Sequence, residues 1–315
     1  VSLRREKATG GTPPLRRFLN ALPRSLRRQK LLSALSRSGL VDPVQYLDFN
    51  EGARAWVDLR DAESRASYLS QSFWPEFHPI VAAFLGRGGA FFDVGANFGL
   101  VTFGVVPRVR GLGVDFHLFE ANPRIVPLLE RSAGLWTGER ISVQHGCVTD
   151  RPGVSRLTLP GSAWGQAFIG ESGEPVPNLV LDDYIADRRI ERVAFMKMDV
   201  EGWEPYALQG AERALAAGKI EAGFIEVAPQ QLRRAGATAE ELLGRLQDLG
   251  FDLYFCGMWD YPDPHGLKWT RVPINGVSLR FAAASPLPSS YVAGDVLVLH
   301  RSTPLSAAVR EAVRG

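Results

Sequence analysis

The sequence predicts an α/β fold, a mostly parallel sheet with helices on both faces. Three observations lead there. From about residue 90, short apolar runs alternate with amphipathic segments of helical length, the signature of a parallel sheet covered on both sides. The first of these runs passes directly into the turn Gly95-Ala96-Asn97-Phe98-Gly99 and then into a helix. Doubly wound sheets hold nucleotide cofactors at that place, beyond the carboxyl end of the first strand. Finally, 315 residues with 45% apolar and 22% charged side chains can bury a core without staples. The only cysteines are Cys147 and Cys256, and no CxxC occurs. A disulfide scaffold, a zinc ribbon and a thioredoxin-type site are therefore excluded.

The chain opens with breakers at Gly10, Gly11, Pro13 and Pro14, so residues 1–14 are expected to be disordered. Leu15, Phe18, Leu19 and Leu22, and again Leu31, Leu32 and Leu35, follow a helical spacing. They predict one or two short basic helices over 15–39, with Pro23 starting the second and Gly39 stopping it. The net charge of +2 is unevenly spread: residues 1–40 carry +9 and the rest −7. The arm can pack a stripe on the body or make peripheral contact with an anionic surface. The acidic body gives no reason to expect nucleic acid as a partner. No apolar run approaches the roughly 18 residues of a membrane span, and arginines interrupt any signal-peptide core. The expected location is cytoplasmic.

Residues 44–60 alternate around Asn50-Glu51-Gly52 and predict a hairpin. The division expected is an N-terminal helical and hairpin extension, 1–74, followed by the α/β domain, 75–315. A helix is predicted over 76–86. Strands then follow at 90–94, 115–119, 141–145, 193–198, 221–227, 251–255 and 295–300. The helices between them fall near 98–107, 123–132 (with Asn122 as N-cap), after the fourth strand through about 217, and 238–249. Residues 257–294 read as irregular.

The candidate site residues lie at strand ends. Asp93, Gly95, Asn97 and Gly99 form the first group. A dinucleotide fingerprint wants glycine where Asn97 stands, because that glycine admits a pyrophosphate. S-adenosylmethionine has no pyrophosphate, and asparagine enters the left-handed region readily, so Asn97 favours that cofactor over NAD. Glu120 ends the second strand, where a carboxylate accepts ribose hydroxyls, and Asn122 follows it. Cys147 and Val148, past the third strand, are expected to face the adenine, with Asp150 a candidate for its exocyclic amine. On the fourth strand Lys197 and Asp199 share one face, and charges in so apolar a strand need partners or a function. Glu201 and Glu204 start the next helix and suit its dipole.

The turn Asp93-Val94-Gly95-Ala96-Asn97-Phe98-Gly99, the step Phe119-Glu120-Ala121-Asn122-Pro123, Leu181-Asp182-Asp183-Tyr184 and the block Lys197-Met198-Asp199-Val200-Glu201-Gly202-Trp203-Glu204 resemble the FkbM family of S-adenosylmethionine-dependent methyltransferases. The resemblance spans about residues 75–256. It implies a Rossmann-like class I methyltransferase fold, seven strands here, with the last strand antiparallel. It also implies methyl transfer to a hydroxyl, often of a sugar or natural product.

Asp199, Lys197 and Glu201 are the candidate catalytic set. Asp199 is the expected general base, while His145 is less well placed. A variant gives Asp199 and Glu226, at neighbouring strand ends, a Mg²⁺ ion that would acidify the acceptor hydroxyl; Lys197 would then neutralise an acid. Trp164, Trp203, Trp259, Tyr261 and Trp269 are either sugar-stacking faces or core, with Trp203 nearest the fourth-strand block. The alternatives are a non-catalytic cofactor-binding or scaffold module and, on the same sheet, an NAD-linked oxidoreductase.

Overall fold

The computed structural model describes residues 14–21, 28–161, 163–258, 267–288 and 291–314. The expectations for residues 1–13, Pro23, Trp259 and Tyr261 lie outside these residues. The chain begins with two helices, α1 (Pro14–Ala21) and α2 (Arg28–Arg37), and an antiparallel hairpin of β1 (Val44–Phe49) and β2 (Ala53–Asp58). Next come α3 (Ala62–Ser70), α4 (Phe77–Phe84), β3 (Gly89–Val94), α5 (Leu100–Val105), β4 (Val114–Glu120), α6 (Val126–Ala133) and β5 (Arg140–His145). Four short strands follow: β6 (Cys147–Val148), β7 (Val154–Thr158), β8 (Phe168–Ile169) and β9 (Glu174–Leu179). The remainder is α7 (Leu181–Asp187), β10 (Val193–Met198), α8 (Glu204–Gln209), α9 (Glu212–Ala216), β11 (Ala222–Val227), α10 (Pro229–Arg234), α11 (Ala239–Asp248), β12 (Phe251–Met258), β13 (Thr270–Ile274), β14 (Val277–Ala283), β15 (Gly294–His300) and α12 (Pro304–Arg314).

Seven strands lie in the order β5-β4-β3-β10-β11-β15-β12. All run parallel except β15, which is antiparallel to both neighbours. That is the expected sheet. Among the described residues it is extended to nine strands by β14 and β13 beyond β12, which corrects the reading of 257–294 as irregular. The hairpin turns at Asn275 and Gly276, both at positive φ, as a two-residue hairpin loop requires. Pro273 is accommodated because β13 is the edge strand. The helix expected after the fourth strand through about 217 is broken into α8 and α9 around Gly210, whose Cβ, were it alanine, would lie 2.0 Å from the Thr149 carbonyl oxygen.

Two apolar layers sandwich the sheet. Phe91, Phe116, Phe195 and Phe224 point to one face and Phe92, Met196, Met198 and Ile225 to the other, the period-two alternation of strands buried on both sides. The hairpin lays Leu47, Phe49, Ala55 and Val57 into the first layer, and Trp56 N donates to Ser132 Oγ on α6 at 2.7 Å. In α11 the expected start is a capping box between Thr238 and Glu241. Asn122 does not cap α6: its Oδ1 accepts from Arg124 N at 3.0 Å, one turn before the helix begins at Val126. No described helix is long and apolar enough to cross a membrane.

Candidate active site

The strand order reverses at β3, whose neighbours are β4 on one side and β10 on the other. The crevice at the carboxyl ends of such strands is where doubly wound sheets bind ligands. Three adjoining hollows meet there, and Gly95, Asn97 and Asp199 line all three.

Glycine is required at 95. Gly95 sits at φ +78°, and a Cβ there would lie 1.9 Å from the Asp199 carbonyl oxygen. The turn after β3 and the end of β10 thus touch through backbone, joined also by Asp199 N donating to Val94 O at 3.0 Å. Asn97 adopts φ 52°, the left-handed conformation that asparagine tolerates. Its N–H donates to Glu120 Oε2 at 2.7 Å, and Asn122 N–H donates to Glu120 Oε1 at 2.7 Å. Glu120 is therefore fixed by two backbone donors, with lone pairs left on both oxygens for ribose hydroxyls. Burial pushes its carboxyl up to about 7.

The first hollow runs from Glu120 past Gly146, Cys147 and Val148 to Trp203. Cys147 is buried, and that burial pushes its thiol up to about 12, so it lines the wall as an inert apolar group. Trp203 lines this hollow and not the third one: its Nε1 donates to Thr149 Oγ1 at 3.1 Å and its ring stacks on Tyr206 at 4.0 Å. Trp164 covers the same hollow, stacked over Phe98 at 6.4 Å. Trp269 lies elsewhere, beneath Arg280 at 4.4 Å.

The second hollow reaches Asp93, Lys197 and Trp74. Asp93 is 1% exposed. Its Oδ2 accepts from Thr102 Oγ1 at 2.5 Å, and its Oδ1 has no partner among the described residues. A buried orphan acceptor here fits the ammonium of a methionine moiety, as Glu120 fits a ribose. Burial holds Asp93 above the ordinary carboxylate range. Lys197 is 3% exposed and donates to Asp199 Oδ2 at 2.9 Å. Burial alone would lower its pKa, but Asp199, Asp93 and Asp295 outweigh burial and raise it. Lys197 stays an ammonium because acids surround it.

The third hollow, about 310 Å³, opens beyond the other two and is lined by Glu63, Trp74, Asp199, Glu201, Glu226 and Gln231, among others. Burial and repulsion from Asp199 push Glu201 up to about 7, and Gln231 Nε2 donates to its Oε2 at 2.5 Å. Burial, with repulsion from Asp199, Glu204 and Glu201, holds Glu226 well above its usual range. Glu204 faces none of these hollows. Its Oε1 accepts from Val200 N at 2.9 Å and Gly202 N at 3.3 Å, stabilising the turn before α8.

Several expected contacts are absent. Gly99 faces away from the hollows: a Cβ there would strike Phe103 at 2.4 Å and Leu129 at 2.6 Å, so this glycine serves the packing of α5. Asn122 is 1% exposed and its Nδ2 donates to Trp164 O at 3.2 Å. It supports Glu120 and the Trp164 segment from behind. Asp150 pairs with Arg151 at 3.0 Å, and His145 is exposed at the end of β5. The Mg²⁺ variant lacks a donor set. Asp199 is already paired with Lys197, and no group of three or more His, Cys, Asp or Glu among the described residues is arranged to hold a metal.

The glycine turn after β3 and the acid that ends β4 make this crevice a nucleoside-cofactor site of a doubly wound sheet. Residues 93–253 match the methyltransferase FkbM domain, just over half of the chain, and the chain belongs to that family. Among solved structures it is similar to methyltransferase FkbM from Methylobacillus flagellatus KT, at 17% identity and TM-score 0.38, over 62% of this chain and 44% of that one. The chain thus spans less than half the length of that protein. It is also similar to precorrin-6y C5,15-methyltransferase from Geobacter metallireducens GS-15, at 9% identity and TM-score 0.36, over 71% of this chain and 87% of that one. A third is magnesium protoporphyrin IX methyltransferase from Synechocystis PCC 6803 with bound SAH, at 11% identity and TM-score 0.34, over 71% and 81%. Comparison with curated proteins gives no match.

Proposed function

We infer that the chain transfers a methyl group from S-adenosylmethionine to a hydroxyl oxygen of a carbohydrate, glycoconjugate or other polyhydroxyl natural product. One observation carries this reading: the three hollows converge on Gly95, Asn97 and Asp199. A ligand with its ribose on Glu120 and its amino acid end near Asp93 would present its centre to the third hollow. Bound there, the cofactor supplies an activated methyl group with a neutral leaving group. The protein's task is then to orient the acceptor oxygen and receive its proton. Asp199, pinned by Lys197, is placed to orient that hydroxyl.

The wall of the third hollow indicates the acceptor's charge. It carries Asp61, Glu63, Asp199, Glu201 and Glu226, and no lysine or arginine among its described residues. Above neutrality, where Glu63 and Glu201 ionise, a phosphorylated or carboxylated acceptor would be repelled, whereas a neutral polyol or an amine-bearing sugar would be accepted. Trp74 is 41% exposed at this wall, its ring stacked on Phe73 at 5.0 Å, and it offers a flat apolar face to a sugar ring. The NAD-linked alternative is disfavoured by the Asn97 side chain, which stands where a pyrophosphate needs open backbone.

The test is methyl transfer from methyl-labelled S-adenosylmethionine to a panel of neutral sugars and polyols, aminosugars and sugar phosphates. The expected product is a methyl ether, formed from the neutral or amino compounds in preference to the phosphates. Transfer to nitrogen alone, or preference for the phosphates, would contradict this reading.

A further inference from the structure

The acceptor hydroxyl must give up a proton as its oxygen takes the methyl group. The carboxylate expected to receive it, Asp199, has its Oδ2 held by the Lys197 ammonium at 2.9 Å. That oxygen is taken up by the ion pair. A second carboxylate enters the site from α3, outside the residues that match the family domain. Asp61 fixes the first turn of that helix. Its Oδ2 caps the helix by accepting from Ser64 N at 2.8 Å, and its Oδ1 accepts from Trp164 N at 2.9 Å. This turn delivers Glu63 to the crevice, where its Oε2 accepts from Asn97 Nδ2 at 3.1 Å. Glu63 lines the second and third hollows alike, with Trp74, Asn97 and Asp199.

We propose that Glu63 takes the proton of the acceptor hydroxyl, while Asp199, held by Lys197, orients that hydroxyl. The assignment rests on the methyl-transfer reading above. The acceptor oxygen bonds to the methyl carbon as the sulfur–carbon bond breaks and its electron pair returns to sulfur. The hydroxyl proton passes to Glu63 and from there to water, to which Glu63 is open through the cavity mouth. The groups that face Glu63 are Asp61 beside its own helix, Asp199 and Lys197 from the end of β10, and Asn97 from the glycine turn; Glu201, Glu226 and Gln231 share the cavity. Partial desolvation at the crevice, then repulsion from Asp61 and Asp199, pushes its carboxyl up to about 7 against the pull of Lys197 and Asn97, although the residue is exposed at the cavity mouth. A base of that strength is ionised above neutrality and still basic enough to draw a proton.

The test compares wild type, Glu63→Gln and Glu63→Asp by three measurements. The first is calorimetric S-adenosylmethionine affinity. The second is kcat/KM against pH, with the wild type's fastest acceptor from the panel above. The third is carbon-13 NMR titration of the side-chain carboxyls. Glu63→Gln is expected to bind S-adenosylmethionine within threefold of wild type and to lose about 10²–10⁴-fold in turnover. Wild-type kcat/KM should rise with pH through about 7, and Glu63→Gln should lose this limb while Glu63→Asp keeps it. One carboxyl resonance titrating near neutrality should be missing from Glu63→Gln. Unchanged turnover, or a persisting acid limb, in Glu63→Gln would overturn the assignment alone. So would a tenfold or greater loss of cofactor affinity, because Glu63 would then hold the cofactor. A wild type that binds S-adenosylmethionine and methylates no hydroxyl in the panel would overturn the assignment and the methyl-transfer reading together.

Discussion

Asp199→Asn is expected to lower turnover about a hundredfold or more while S-adenosylmethionine remains bound. Asparagine keeps the size of the side chain and an oxygen for Lys197 Nζ, which lies 2.9 Å from the aspartate, so the strand end should keep its shape. What disappears is the negative charge where all three hollows meet. An acceptor hydroxyl that loses its anchoring carboxylate samples orientations away from the methyl carbon, and methyl transfer tolerates little misplacement. Single-turnover kinetics on the loaded enzyme measures this directly. Turnover within threefold of wild type would remove Asp199 from the reacting centre.

Lys197→Met is expected to cost about 3–5 kcal/mol of stability at pH 8. Lys197 is buried on β10, and its ammonium is the charge that offsets Asp199, Asp93 and Asp295. A methionine of similar length fills the space but leaves the buried Asp93 and the half-buried Asp199 and Asp295 without their cation. Burial already raises Asp93, and it pushes Asp295 up to about 6. Without the ammonium, Asp93 and Asp295 should hold their protons to still higher pH in the folded state, above the unfolded values. The variant's folded state then binds the extra protons, so its deficit should be small near pH 5 and grow as pH rises through the raised values. Urea unfolding at the two pH values checks this, and equal loss at both would contradict it.

These charges were legible because they break a local rule. A strand buried on both faces should be apolar throughout, and Lys197 followed by Asp199 departs from that. The seven strands of the mostly parallel core were legible for the complementary reason: each is a short apolar run. The small sheet of β6 to β9 was not, because its strands are short and carry Pro175 and Pro177. The β13–β14 hairpin was masked by surrounding prolines, although Asn275-Gly276 is itself a hairpin signal. The start of α3 was also within reach, since Asp61 followed by Glu63 is a helix-start pattern.

The site divides in the same way. Spacing placed Gly95, Asn97, Glu120, Cys147, Val148 and Asp199 at one crevice. It could not tell Gly95, which meets a carbonyl, from Gly99, which meets Phe103, because both follow the same strand. Nor could it give the direction of Asn122 or Trp203, which is set by hydrogen bonds to Trp164 and Thr149. Glu63 and Trp74 were missed altogether. Glu63 reaches Asn97 across 34 residues of sequence, and only tertiary packing of the N-terminal extension against the glycine turn brings them together.

The central claim is that the crevice between β3 and β10 is an S-adenosylmethionine site with its ribose on Glu120. Calorimetric titration of wild type and Glu120→Ala with S-adenosylmethionine, S-adenosylhomocysteine and NADH tests it most directly. Wild type is expected to bind both sulfur ligands and not NADH. Glu120→Ala should lose at least tenfold in affinity for both, as about 1.5–3 kcal/mol of charged hydrogen bonding to the ribose is removed. A folded wild type that binds neither sulfur ligand, or that binds NADH in their place, would contradict it.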